Sequence, residues 1–136
     1  MIKISVCDDD EGQLTFFKQC FMEYNEKHKE KIEANFYQSV QSLLNEKKFS
    51  PDVYFLDIEL QDGNGLKLAG KIRTRNSKIP IVFITSHEEF MPEAFQVHAY
   101  QYLNEKKNAQ AVENVLNQLA DYFSEQNQIF SFQTYG

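Results

Sequence analysis

A short apolar run, Val53-Tyr54-Phe55-Leu56, ends in Asp57 and gives way to the turn-rich stretch Ile58-Glu59-Leu60-Gln61-Asp62-Gly63-Asn64-Gly65. A run this short, bounded by turn residues, fits a buried strand, and an acid directly after it sits at the strand's C-terminal end. In open α/β sheets that end is where ligands and chemistry collect. The same pattern occurs at the start of the chain, where Ile2 to Cys7 leads into Asp8-Asp9-Asp10. If the two strands are adjacent and parallel, their carboxylates converge into a cluster that calls for a cation.

The remaining elements make that adjacency the expected one. Leu14, Phe17, Phe21 and Tyr24 mark a helix after the first strand, ended by the charged stretch Asn25 to Lys31. Ile32 to Phe36 alternates like an edge strand, and Ser39 is placed to cap a short helix presenting Val40, Leu43 and Leu44. A third helix starts at Asn64 or Gly65, turns Leu66, Leu68, Ala69 and Ile72 inward and stops at Asn76-Ser77. Ile81 to Thr85 is a fourth strand, a helix follows from Glu88 or Pro92 to Val97, and Ala99 to Leu103 is a fifth strand. Val112, Val115, Leu116, Leu119 and Phe123 share one face of a fifth helix. Strands and helices in alternation give an α/β fold, a doubly wound five-stranded parallel sheet of order 2-1-3-4-5 with five helices. That order sets strands one and three side by side. Gln128 to Gln133 alternates like a strand that opens a further, truncated domain.

A chain of 136 residues suits one domain. Its net charge of −6 speaks against nucleic-acid binding by this chain itself. Cys7 and Cys20 lack metal-type spacing and read as small buried hydrophobes. Met1 to Ile4 enters a strand with no basic-then-apolar leader, and no apolar run approaches a membrane span, so the expected location is cytoplasmic.

Magnesium is held by one or two carboxylates, waters and phosphate oxygens. Asp9 and Asp57 would supply the carboxylates, Asp8 would hold a metal-bound water, and the backbone carbonyl of Glu59 is a further ligand. With Mg²⁺ bound, Asp57 becomes a nucleophile toward phosphorus, and Thr85, with Ser86 beside it, would offer its hydroxyl to a phosphoryl oxygen. Other acids are better read as caps and turn formers, Asp10 and Asp62 among them. Gly63-Asn64-Gly65 is turn chemistry without the Lys-Ser/Thr of a phosphate loop, and His28, His87 and His98 fit surface positions. The run Glu26 to Lys31 is a solvated face.

Across residues 1 to about 123 the chain resembles the receiver domain of bacterial two-component response regulators, a flavodoxin-like fold. The resemblance rests on Val6-Cys7-Asp8-Asp9-Asp10, on Phe55-Leu56-Asp57-Ile58-Glu59-Leu60 with Asp62-Gly63-Asn64-Gly65, and on Ile81-Val82-Phe83-Ile84-Thr85-Ser86 with Tyr102. Phe83-Ile84-Thr85-Ser86 and Glu93-Ala94-Phe95 to Tyr102-Leu103 are most similar to regulators that carry a LytTR-type DNA-binding domain. The tail at 124–136 would then be a linker and the first strand of that output domain. The resemblance implies a phosphorelay signal-transduction protein, not an enzyme but a phospho-acceptor that assists its own phosphorylation and dephosphorylation. A sensor histidine kinase would phosphorylate Asp57, with Mg²⁺ held by Asp8, Asp9, Asp57 and the Glu59 carbonyl. Thr85 would move toward the phosphate and Tyr102 would rotate inward, remodelling the helix 4–strand 5–helix 5 face. That face would serve a homodimer, and DNA would be reached only through the missing domain, in transcription regulation.

One departure matters. The family ends its fifth strand with Lys-Pro, but Glu105 stands at the Lys position and Lys106 at the Pro position. A one-residue bulge in strand five would deliver Lys106 to the pocket. Otherwise the site is weakened, and the alternative is a phosphorylation-independent pseudo-receiver, an interaction module. A third possibility, a small metal-dependent phosphatase, is disfavoured because Ile58 and Glu59 supply no fitting second acid after Asp57.

Overall fold

Apolar side chains alternate onto both faces of the central strands, which obliges the sheet to be covered on two sides. The computed structural model describes residues 1–104 and 106–135, with side chains through residue 127. Strands β1 (Ile2–Cys7), β2 (Ile32–Tyr37), β3 (Val53–Asp57), β4 (Ile81–Ile84) and β5 (Gln101–Leu103) form one parallel sheet of order β2-β1-β3-β4-β5. Helices α1 (Glu11–Lys27), α2 (Val40–Leu44), α3 (Gly65–Arg75), α4 (Met91–Gln96) and α5 (Ala109–Tyr135) alternate with them. A small antiparallel ribbon pairs Glu59–Leu60 with Gly63–Asn64. The doubly wound fold read from the sequence is the one formed.

On one face Ile4, Val6, Phe55, Val82 and Ile84 pack against α1 and α5; on the other Leu56, Ile81 and Phe83 pack against α2, α3 and α4. Phe55 meets the rings of Phe17 and Phe21 edge-on, with centroids 5.7 Å and 5.8 Å away. Such contacts add about 0.5–1.5 kcal/mol per pair to the burial itself. Cys7 and Cys20 are free and buried, as expected of small hydrophobes.

Polar residues start the helices. The Asp10 carboxylate accepts from the Gly12 N–H at 2.9 Å and caps α1, Ser39 and Ser42 form a capping box on α2, and Asn64 caps α3. A single turn of 3-10 helix, Glu88–Phe90, leads into α4, with Pro92 in its first turn.

Three expectations need correction. The fifth strand is shorter than Ala99 to Leu103: the Ala99 N–H closes a turn on the Ala94 carbonyl, so pairing begins only at the Tyr100 N–H to Ile81 carbonyl bond. The strand expected over Ile129 to Phe132 does not form, because α5 continues through it to Tyr135. No Gly or Pro interrupts 109–135, and an alternation this short is equally compatible with helix once a helix is propagating into it. Nor is there a bulge in β5, whose register with β4 runs unbroken from Val82↔Gln101 to Ile84↔Leu103. The Glu105 position lies outside the described residues.

Candidate functional site

Register alone brings the acids together. β1 and β3 pair Cys7 with Leu56, so the next residues along, Asp8 and Asp57, emerge level at the C-terminal edge. β3 and β4 pair Asp57 with Ile84, which sets Thr85 one step beyond. Carboxylate oxygens of Asp8, Asp9 and Asp57 all lie within 4.8 Å of one another. Asp8 is 1% exposed and Asp57 3%, so the cluster is largely withdrawn from water.

Only part of this charge is compensated by the protein. Asp8 Oδ1 accepts from the Asp10 N–H at 2.9 Å, Asp9 Oδ2 from the Gln61 N–H at 3.0 Å, and Asp57 Oδ1 from the Glu59 N–H at a long 3.4 Å. Lys106 Nζ stands 3.5 Å from Asp57 Oδ2. Asp8 Oδ2 is buried and has no partner. Burial pushes the Asp8 carboxyl up to about 6, with the Asp10 N–H and Lys106 opposing and Asp57 and Asp9 adding to the rise. Burial likewise raises Asp57, against the pull of Lys106. At Lys106 burial alone would lower the pKa, but the charges of Asp57 and Asp8 outweigh it and raise it. A buried carboxylate oxygen with no donor, in a cluster of three carboxylates, fits an oxygen-seeking divalent cation.

Around the acids lies a pocket of about 450 Å³, lined in part by Asp9, Asp57, Thr85, Ser86, His87 and Lys106. Lys106 arrives by a turn, not by the bulge. β5 stops at Leu103, Lys106 and Lys107 form a turn, and Lys107 takes a left-handed φ of 59°. Thr85 Oγ1 accepts from the His87 N–H at 3.2 Å and keeps its own proton to donate. The Tyr102 hydroxyl donates to the His87 carbonyl at 2.5 Å, linking β5 to the loop that carries Thr85.

Gly65 is forced by packing. Its N–H bonds the Ile58 carbonyl at 2.8 Å, and a Cβ there would lie 2.1 Å from the Asp57 carbonyl oxygen. Asp62 is a cap, as expected, though of α2: its carboxylate accepts from the Val40 and Gln41 N–H groups at 2.9 Å and 3.1 Å. His87 is exposed but is more than a surface residue, since it lines the pocket with Nε2 at 3.4 Å from Glu59 and Nδ1 at 3.2 Å from Glu89. Its place directly after Thr85-Ser86 was the only sequence signal for this.

A doubly wound parallel sheet with a cluster of carboxylates at its carboxyl edge is an α/β domain built to hold a divalent cation. The chain belongs to the response regulator receiver domain family, whose model matches residues 4–117. An uncharacterized response regulatory protein of Yersinia pestis is 29% identical over 120 residues, covering 88% of this chain and 49% of that protein. The sensory transduction protein LytR of Staphylococcus haemolyticus is 32% identical over 95 residues, covering 70% of this chain and 36% of the relative. The chain thus spans half or less of the length of these relatives. In fold it is similar to the response regulator TrrA of Thermotoga maritima, solved with Mg²⁺-BeF, at a TM-score of 0.75 and 21% identity, covering 88% of this chain and 99% of that one. It is accordingly a receiver domain of two-component signalling, a family whose members act in general as phospho-acceptors and not as enzymes. Among the described residues no helix is long and apolar enough to cross a membrane.

Proposed function

We propose that Asp57 accepts a phosphoryl group from a sensor histidine kinase in a Mg²⁺-dependent reaction, and that the resulting change controls an output domain outside this chain. The observation that carries the reading is the convergence of Asp8, Asp9 and Asp57 within 4.8 Å, with Asp8 Oδ2 lacking any donor. Asp9, Asp57 and the Glu59 carbonyl would hold the cation, with Asp8 supporting it through that free oxygen. Bound Mg²⁺ supplies neutralisation of the phosphoryl oxygens.

The side chains do the rest. An Asp57 carboxylate oxygen attacks phosphorus; the phosphorus–nitrogen bond of the donor phosphohistidine breaks, and its electron pair returns to the imidazole nitrogen. Lys106, already 3.5 Å from Asp57, offsets negative charge as the acyl phosphate forms. Thr85 donates its hydroxyl proton to a phosphoryl oxygen. Because the Thr85 hydroxyl holds the His87 N–H and the Tyr102 hydroxyl holds the His87 carbonyl, a shift of Thr85 is passed to Tyr102. Tyr102 turning inward would remodel the α4–β5–α5 face, where Phe95 is 64% exposed, for homodimerisation. The LytR relatives make a LytTR-type DNA-binding domain the proposed output for transcription regulation, with the cytoplasm as the site of action.

The test is labelling by a small phosphodonor with Mg²⁺, for the wild type and Asp57→Asn. Hydroxylamine-sensitive phosphate is expected on the wild type alone, and only when chelator is absent. Unlabelled wild type would replace this reading with a phosphorylation-independent interaction module.

A further inference from the structure

At the opposite end of β3 from Asp57, a groove of about 690 Å³ opens between the C-terminal ends of α2 and α3. Its floor is apolar: Leu43 and Ile72 are buried, and Phe49 and Tyr54 are half-buried beside them. Its rim is basic, with Lys47 on the α2 side and Lys71 and Arg75 on α3, all exposed. None of these three cations forms an ion pair among the described residues. The acid in the lining, Glu46, is already engaged, accepting from the Lys48 and Phe49 N–H groups at 2.8 Å and 3.2 Å. Arg73, on the same helix, is turned elsewhere and spends its guanidinium on the carbonyls of Ile79, Val97 and His98.

A positive rim is out of character for a chain of net charge −6. Helix dipoles favour a cation at the ends of α2 and α3, but they do not account for an apolar floor left open beneath those cations. We propose that this groove docks an acidic, amphipathic segment of a partner protein, with apolar side chains on the floor and carboxylates on the two walls. Two observations favour a peptide over a small molecule. The lining runs from α2 through residues 46–51 and Tyr54 to the far end of α3, an extent that suits a stretch of chain. Lys71 and Arg75 lie one helical turn apart on α3, with Cβ atoms about 6 Å from one another, so both can meet carboxylates on one face of a bound segment. The groove lies about 10 Å along β3 from Asp57, which leaves the acidic pocket free while a partner is bound.

The test is a titration of the full chain, followed by ¹H–¹⁵N spectra, with a synthetic peptide carrying alternate Glu residues around two Leu anchors. Shifts are expected in 43–54 and 71–79. Affinity should fall by about tenfold in the double variant Lys71→Glu with Arg75→Glu, as reversal of two exposed charges implies. Both positions are exposed, so the variant's remaining spectrum should overlay the wild type and certify its fold. Absence of shifts, shifts confined to α4 and β5, or equal binding by the double variant would overturn the proposal. Tighter binding of octyl phosphate in the same groove would reassign it to a small amphiphile, and concentration-dependent shifts without peptide would reassign it to a second copy of the chain.

Discussion

Asp8→Asn removes a charge from a carboxyl that is 1% exposed, has an unpartnered Oδ2 and has its pKa pushed up to about 6, first by burial. Because that value lies above the ordinary 3.8, the folded chain holds this proton more tightly than the unfolded chain. The stability that protonation confers is full below about pH 4 and lost above about pH 6. At neutral pH the ionised side chain therefore costs the cation-free fold roughly 3 kcal/mol. Asparagine retains an oxygen for the Asp10 N–H but leaves an amide group without a partner, which returns about 1–2 kcal/mol of that gain. The variant should therefore be more stable than the wild type by about 1–2 kcal/mol in urea denaturation at neutral pH with chelator. The sign should invert near pH 4, where protonation of Asp8 restores about 2 kcal/mol to the wild type and leaves the variant the less stable by about 1 kcal/mol, and it should invert likewise in excess Mg²⁺, where the variant has lost an oxygen that supports the ion. A variant destabilised equally at both pH values in chelator would refute the reasoning.

Two further outcomes follow from neighbouring geometry. Gly65→Ala places a methyl 2.1 Å from the Asp57 carbonyl oxygen, backbone that cannot step aside, and should cost about 2–4 kcal/mol in the same denaturation assay. Lys106→Ala removes the cation 3.5 Å from Asp57; phosphodonor labelling should slow by about tenfold while Mg²⁺ binds more tightly, since the ion no longer competes with an ammonium. Labelling at the wild-type rate would show that Lys106 is a bystander.

Much of the scaffold was legible because buried parallel strands are nearly continuous apolar runs, and Ile2–Cys7, Val53–Leu56 and Ile81–Ile84 are such runs. Strand order set Asp8 and Asp57 at one edge of the sheet, and register holds them level there. What stayed hidden depends on tertiary contacts or on single dihedral angles. Asp62 was readable as a cap but not as the cap of α2, 22 residues upstream. Lys106 reaches Asp57 from the turn it shares with Lys107, whose positive φ is one that its residue type gives no hint of. His87 carries no ligand spacing, and its position comes from the turn closed by the Thr85 hydroxyl. Around Ile129 to Phe132 the pattern fits either period, and the helix upstream decided it.

The strand register has a last consequence for folding. Asp8 and Asp57 are 49 residues apart in sequence, and only correct alignment of β1 against β3 holds them level. A chain slipped so that Cys7 stands where Asp8 belongs would lose one of the three carboxylates and hold an ion more weakly. A divalent ion that binds here therefore discriminates between correctly and wrongly threaded chains, and each tenfold of free ion above its dissociation constant tilts that competition by about 1.4 kcal/mol toward the right one.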